Sequence, residues 1–257
     1  MTAEAIPFPQ DFSANVIDLG VQKCYFPVRK RTRIGNLIGF FLLLGIAVLV
    51  FFVGVTNTSD MLAGMTIAAF IFFALGLYCG WAAYSNWSKG AGVYERGFAL
   101  RSRQGFQVWH WEDIQSIQAR VTKHYTNGIY TGTTHEYTLL NRQNEKLKLN
   151  DVFKKVEELA DLIQQNIYPH LYNAAADAYN AGSTLTFGPV NVSKTGLHIG
   201  KKDFPWTDIK QVSLGNGFLQ VAPQKGGLFK NASVPASAIP NLSVLLSIIN
   251  QVTGLKN

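Results

Sequence analysis

Residues 37–84 read LIGFFLLLGIAVLVFFVGV, then TNTSD, then MLAGMTIAAFIFFALGLYCGWAAY. The two apolar runs, Leu37–Val55 and Met61–Tyr84, contain no Asp, Glu, Lys, Arg or His, and only the five residues Thr56–Asp60 separate them. As helices of 19 and 24 residues they would be roughly 28 and 36 Å long at about 1.5 Å per residue, and a bilayer's hydrocarbon core is about 30 Å thick. A buried hairpin of a soluble protein rarely keeps two adjacent stretches this long free of charge. The pattern predicts a transmembrane helical hairpin over residues 37–84, preceded by a tail, residues 1–36.

Flanking charge orients the hairpin, because cationic loops near membrane spans stay on the cytoplasmic side. Lys23, Arg29, Lys30, Arg31 and Arg33 precede the first run, Lys89, Arg96, Arg101 and Arg103 follow the second, and the connection carries only Asp60. The expectation is a two-pass protein with both termini cytoplasmic. A cleavable signal peptide fits poorly, since a long tail precedes the first run and a second span follows it directly. Of the formal charge of +7, residues 1–35 carry +2, the hairpin −1 and residues 89–257 +6. A basic region beside an anionic leaflet is attracted to it. Nucleic-acid binding is not expected, for want of a concentrated cationic face or a motif. Cys24 and Cys79 supply neither a disulfide framework nor metal-ligand spacing.

Gly35 and Gly39, and Gly76 and Gly80, are spaced by four at the cytoplasmic ends of the two spans. Such spacing permits close packing, within the hairpin or between chains of a homo-oligomer. Trp81, Tyr84 and Trp87 suit the headgroup zone. The spans carry no ionisable group for a proton relay or ion pathway, and two helices do not enclose a pore without oligomerising.

Beyond residue 89 one unit occurs twice. The first copy reads Gly97-Phe98-Ala99-Leu100, then Trp111-Glu112-Asp113-Ile114 and Ile117; the second reads Gly196-Leu197-His198-Ile199, then Trp206-Thr207-Asp208-Ile209 and Val212. Each copy ends in a helical pattern. Asn150 or Asp151 can cap the run Val152–Ile167, and Pro240 can open the run through Leu242, Leu245, Leu246, Ile249 and Val252. Residues 173–183 read as a link, or as a continuation of the first helix after a break at Pro169. The predicted fold is membrane-anchored α+β, with modules at 89–172 and 184–254, each a small curved sheet or split barrel of short strands closed by a C-terminal helix.

A turn glycine, short strands, W-x-D-I and a terminal helix resemble bacterial pleckstrin-homology-like (PH-like) domains. More specifically, Val93-Tyr94-Glu95-Arg96-Gly97, Asn127-Gly128-Ile129-Tyr130-Thr131-Gly132-Thr133, Phe187-Gly188-Pro189 and Ile239-Pro240-Asn241-Leu242 resemble an uncharacterised bacterial family of membrane-anchored proteins with tandem PH-like domains. The resemblance implies two PH-like split barrels and a bacterial inner-membrane location. It implies no activity.

The segment His124–Tyr137 is the most unusual in composition. Asn127-Gly128 signals a tight hairpin turn between Thr- and Tyr-rich strands. Two readings compete: Lys123, His124, Tyr125 and Tyr130 form a binding surface, or the tyrosines only complete the sheet. Arg101, Arg103, Lys201 and Lys202, with Lys225 and Lys230, are candidate contacts to anionic lipid. His124, His135 and Glu136 have the donor chemistry for a metal but no spacing that makes them converge. Gly215-Asn216-Gly217 and Lys225-Gly226-Gly227 read as turns, not phosphate loops. Asp113 and Asp208 recur at matching positions, which favours a local backbone role over catalysis. No catalytic, cofactor-binding or metal-binding residue is nominated. The expected function is non-catalytic recognition of membrane lipids or a membrane-associated protein partner, the alternative being an accessory subunit of a membrane enzyme or transporter.

Overall fold

The computed structural model describes residues 17–56, 59–87, 89–102, 105–224 and 231–253. The chain is mixed α+β, with two long apolar helices near its start followed by antiparallel sheets. It forms two compact units: the chain up to Val108 together with Val152–Lys155, and Trp109–Asp151 together with Val156–Asn257.

In the first unit, β1 (Gln22–Pro27) is followed by helices α1 (Lys30–Thr56) and α2 (Ser59–Trp87), then by β2 (Gly90–Tyr94), β3 (Gly97–Ser102) and β4 (Gly105–His110). The four strands form one sheet in the order β1-β2-β3-β4. At 27 and 29 residues the helices are about 40 and 44 Å long, and both are long and apolar enough to cross a membrane. Their outward surface is lined by Phe41, Phe52, Phe70 and Tyr78, each more than 60% exposed. The seam between them is built from small residues, Ala47, Gly54, Ala69 and Ala83. Gly39 faces Cys79 and Gly80 faces the Phe40 ring, where a Cβ would lie 2.7 Å from a ring carbon; Gly76 packs near Leu43 and Leu44. Gly35, the fourth of the predicted set, has nothing within 4 Å of its Cβ position.

Residues 22–27, read from the sequence as tail, form β1, in register with β2 from Gln22↔Tyr94 to Pro27↔Gly90. Phe26 and Val28 are buried on one face. The far end is tied as well: the Lys154 N–H donates to the Pro27 carbonyl at 2.8 Å and the Arg29 N–H to the Val152 carbonyl at 2.9 Å. The two apolar helices are therefore inserted between two paired strands, and residues 1–16 of the predicted tail lie outside the described residues.

The second unit holds β5 (Ile114–Thr126), β6 (Ile129–Asn141), β7 (Lys146–Asn150), α3 (Val156–Asn180), β8 (Leu185–Phe187), β9 (Val190–Val192), β10 (Gly196–Ile199), β11 (Lys202–Pro205), β12 (Ile209–Gly215), β13 (Phe218–Pro223), β14 (Ala232–Pro235) and α4 (Leu242–Thr253). The sheets run β5-β6-β7, β11-β10-β9-β8 and β12-β13-β14. One core gathers Val190, Leu197, Leu219, Val221, Leu245 and Ile249 from both of the latter sheets and α4. Two expectations about α3 change. It starts at Val156, because Lys155 sits at φ 58° and interrupts the helical path. It also runs through Pro169 to Asn180, so most of the predicted link is helix. Its end is set by Gly182 at φ 85°, with N–H bonds from Gly182 to Tyr179 and from Ser183 to Ala178.

Along the chain the same series of elements is built twice: four strands, a short 3-10 turn on W-x-D, three strands and a helix. The details agree. A bulge follows each turn, between Ile114 and Ser116 and between Ile209 and Gln211. The carbonyls of Asp113 and Asp208 accept N–H bonds from Arg142 at 2.9 Å and Gln224 at 2.6 Å. The β5–β6 turn, Asn127-Gly128, has φ 50° and 78°; the β12–β13 turn, Asn216-Gly217, has φ 51° and 80°. A residue of positive φ precedes each helix, Lys155 at 58° and Asn241 at 51°. Where Gly188-Pro189 joins β8 to β9 across Phe187↔Val190, the α1–α2 hairpin joins β1 to β2 across Pro27↔Gly90.

Candidate functional site

The second copy shows how long the strand pair after W-x-D must be to close its sheet. Strands β12 and β13 have 7 and 6 residues, whereas β5 and β6 have 13 each. The excess of about six residues per strand is a ribbon of about 20 Å. Strand β7 pairs with β6 only from Glu136 to Leu140, so the ribbon beyond it is two-stranded. Every residue from Ala119 to Thr131 is exposed.

Lys123, His124, Tyr125 and Tyr130 all lie towards the tip, with Lys123 and His124 on opposite faces of β5. The Tyr125 and Tyr130 rings meet edge to face at 5.8 Å, a favoured aromatic geometry. The Tyr130 hydroxyl bonds the Thr133 hydroxyl at 2.7 Å, and His124 Nε2 lies 2.9 Å from Thr134 Oγ1. Ile129, next to the turn, is 70% exposed. A bulge between His124 and Tyr125 faces Gly132, whose φ of 155° eases the irregular step.

At the ribbon's root, His135 and Glu136 take separate partners. The His135 N–H donates to Asp151 Oδ2 at 2.7 Å, its Nδ1 lies 3.2 Å from Asp151 Oδ1, and its Nε2 meets Glu157 Oε1. An imidazole with a carboxylate at each nitrogen ties β6, the end of β7 and the first turn of α3 together. Glu136 instead lies 3.5 Å from Lys148 Nζ. Among the described residues no three His, Cys, Asp or Glu are grouped to hold a metal ion. The Tyr137 phenol is pushed above its ordinary pKa, chiefly by burial and further by Glu157, Asp161 and Asp151.

The remaining predicted contacts lie elsewhere. Lys201 and Lys202 occupy the β10–β11 turn and strand start, with Lys202 Nζ donating to the Asn231 carbonyl at 2.8 Å. Arg101 sits on β3 opposite Gly90, beside the exit of α2, and with Arg33 it partly offsets the burial that raises the Tyr25 phenol pKa. Arg33 also lies over the Trp87 ring at 5.9 Å. Arg103, Lys225 and Lys230, and with them the predicted Lys225-Gly226-Gly227 turn, lie outside the described residues.

Two features escaped the sequence reading. Asn241 seals part of the outer edge of β5: its N–H donates to the Ile117 carbonyl, its Oδ1 accepts the Ile117 N–H and its Nδ2 donates to the Gln115 carbonyl, all at 2.9 Å. Beside it opens a groove of about 390 Å³ between β5 and α4, lined by Ile117, Ala119, Val121, Ile239, Leu242 and Leu246 among others. The local signal for the first was the asparagine itself, a residue that tolerates positive φ and bonds nearby main chain; the groove had none, since its walls are over a hundred residues apart. No curated protein matches the chain. The model of a family of unknown function, DUF6585, matches residues 8–256, and with a match over nearly its whole length the chain belongs to that family.

Proposed function

We propose that this chain is a non-catalytic, two-pass membrane protein whose α1–α2 hairpin holds two PH-like modules at the cytoplasmic face, where the β5–β6 ribbon recognises a protein or lipid surface. The observation that carries this reading is the ribbon. The same hairpin is made twice with the same bulge and turn, and only the first is extended, with Tyr125, Ile129 and Tyr130 left in solvent at its tip. Exposed aromatic residues on a two-stranded ribbon offer large contact area to a partner surface. The PH-like assignment is supported by the order of four strands, three strands and a terminal helix, and by the shared core of the second copy. Membrane insertion is supported by two helices long and apolar enough to cross a membrane that leave Phe41, Phe52, Phe70 and Tyr78 exposed, and the inward orientation by the cations flanking them. Tethering raises the effective concentration of a weak binding module towards the millimolar range.

The test removes the ribbon and leaves the fold. Joining Thr122 to Thr134 through Asn127-Gly128 restores a strand pair close to the length of the second copy. A photo-crosslinking residue at position 130 of the full chain in native membranes should form a discrete protein adduct or label lipid. The shortened chain should keep its melting behaviour and lose its partner or its liposome binding. A shortened chain that binds liposomes and partners as the parent does would refute the assignment of recognition to the ribbon.

A further inference from the structure

The outer edge of β5 continues past the stretch that Asn241 seals. Both the N–H and the C=O of Ile117 point away from β6, since both are taken by Asn241. Alternation along an antiparallel strand then turns the N–H and C=O of Ala119, Val121 and Lys123 outward too. The pairing on the far side agrees: Val121 faces His135, whose N–H is likewise turned away from β5, to Asp151. These outward groups of Ala119, Val121 and Lys123 have no main-chain partner among the described residues. They form three rungs of a ladder whose first rung Asn241 already occupies.

The apolar groove lies along the same rungs. Ile117, Ala119 and Val121 line it from β5, and Leu242 and Leu246 from α4. On the opposite face of the ribbon stand Arg120, Thr122 and His124; Glu136, across from Arg120 in register, lies 3.5 Å from Lys148 Nζ, so one carboxylate stands among two cations there. Lys123 has no ion pair among the described residues.

We infer that the β5 edge at Ala119–Lys123 is a strand-addition site for an extended segment of a partner protein in which apolar residues alternate with acidic ones. The segment's main chain continues the ladder that Asn241 begins. Because strand side chains alternate between faces, its apolar residues enter the groove while its carboxylates meet Arg120 and His124 on the other side. This rests on the proposed role of the ribbon in recognition and names the kind of partner. A second copy of the chain fits less well, because its own β5, Ile114–Thr126, carries Arg120, Lys123 and His124 and no carboxylate.

The experiment pans a phage-displayed library of random nonapeptides against the full chain in lipid nanodiscs, then measures the enriched peptides by fluorescence polarisation. Enrichment of alternating apolar and acidic residues is expected. Val121→Pro should raise Kd about tenfold, the worth of one main-chain hydrogen bond. It removes only an outward N–H, so the β5–β6 ladder keeps its bonds. N-methylation of alternate peptide amides should weaken binding equally, with the protein untouched. No enrichment, binding indifferent to both changes, or a dimer that Val121→Pro splits into monomers would each overturn the inference. Loss of partner on shortening the ribbon, with Val121→Pro silent, would overturn this site alone and leave the ribbon's role standing.

Discussion

Asn241 offers the sharpest test of how the second unit is held together. Replacing it with Ala removes two side-chain hydrogen bonds, to the Ile117 N–H and the Gln115 carbonyl, each 2.9 Å long. The Gln115 carbonyl is exposed and water can replace its partner, but the part-buried Ile117 N–H loses its acceptor, at a cost of about 1–3 kcal/mol. Alanine must also adopt φ 51°, which asparagine tolerates and alanine does at about 1 kcal/mol. Together Asn241→Ala should cost roughly 2–4 kcal/mol. Asn241→Gly loses the same bonds without the backbone strain, so it should be milder by about 1 kcal/mol. Asn241→Asp keeps an acceptor for Ile117 but sets a carboxylate against the Gln115 carbonyl, and should fall near Gly. The assay is denaturant unfolding of the three variants in one detergent, with amide exchange at Ile117 read alongside. An alanine variant within about 0.5 kcal/mol of the parent, or glycine as costly as alanine, would refute the account of the edge.

The turn that stands in place of the apolar hairpin in the second copy suggests another experiment: substituting Gly-Pro for residues 28–89 should yield a water-soluble chain with its sheets intact by circular dichroism, and aggregation would count against insertion between paired strands. Gly196→Ala drives a Cβ into the Phe204 carbonyl of the paired strand, so loss of the folded second unit, seen as loss of cooperative unfolding, is expected. Burial pushes the Tyr94 phenol up to about 12, above its ordinary value of about 10 in the unfolded chain. The unfolded state then sheds its proton first, so stability present below about pH 10 should decline as pH rises towards 12; Tyr94→Phe should flatten that decline in unfolding midpoints measured across the window.

The apolar helices and the repeat were legible because each rests on local information. Residues 37–55 and 61–84 hold enough consecutive apolar residues to be read without any partner, and W-x-D-I with Asn-Gly marks turns whose backbone needs are local. Strand β1 was not legible. Its six residues QKCYFP include a lysine and a proline, and only pairing with β2, more than sixty residues away, makes them a strand. The α3 start was misplaced because Val152 and Phe153 are apolar for a different reason, their contact with the end of β1, and Lys155 has no propensity that announces φ 58°. Lys123, His124, Tyr125 and Tyr130 lie near one another because they share one hairpin. Arg101, Lys201 and Lys202 were grouped by charge alone, and they lie on different sheets.

The insertion between β1 and β2 bears on how the proposed tether works. A module joined to a span by one linker can swivel, and its reach is set by linker length. Here the chain passes from Pro27 to Lys30 on one side and from Trp87 to Gly90 on the other, and those strand ends face each other in register. Two short connections leaving one paired edge fix the direction of that sheet relative to the helices far better than one. Arg33 over Trp87, and the pinning of Pro27 and Arg29 by Lys154 and Val152, stiffen the same junction. The apolar hairpin and the β1–β4 sheet are therefore one device, and lengthening either connection with glycines should lower the order of a spin label placed on β3 while leaving the fold unchanged.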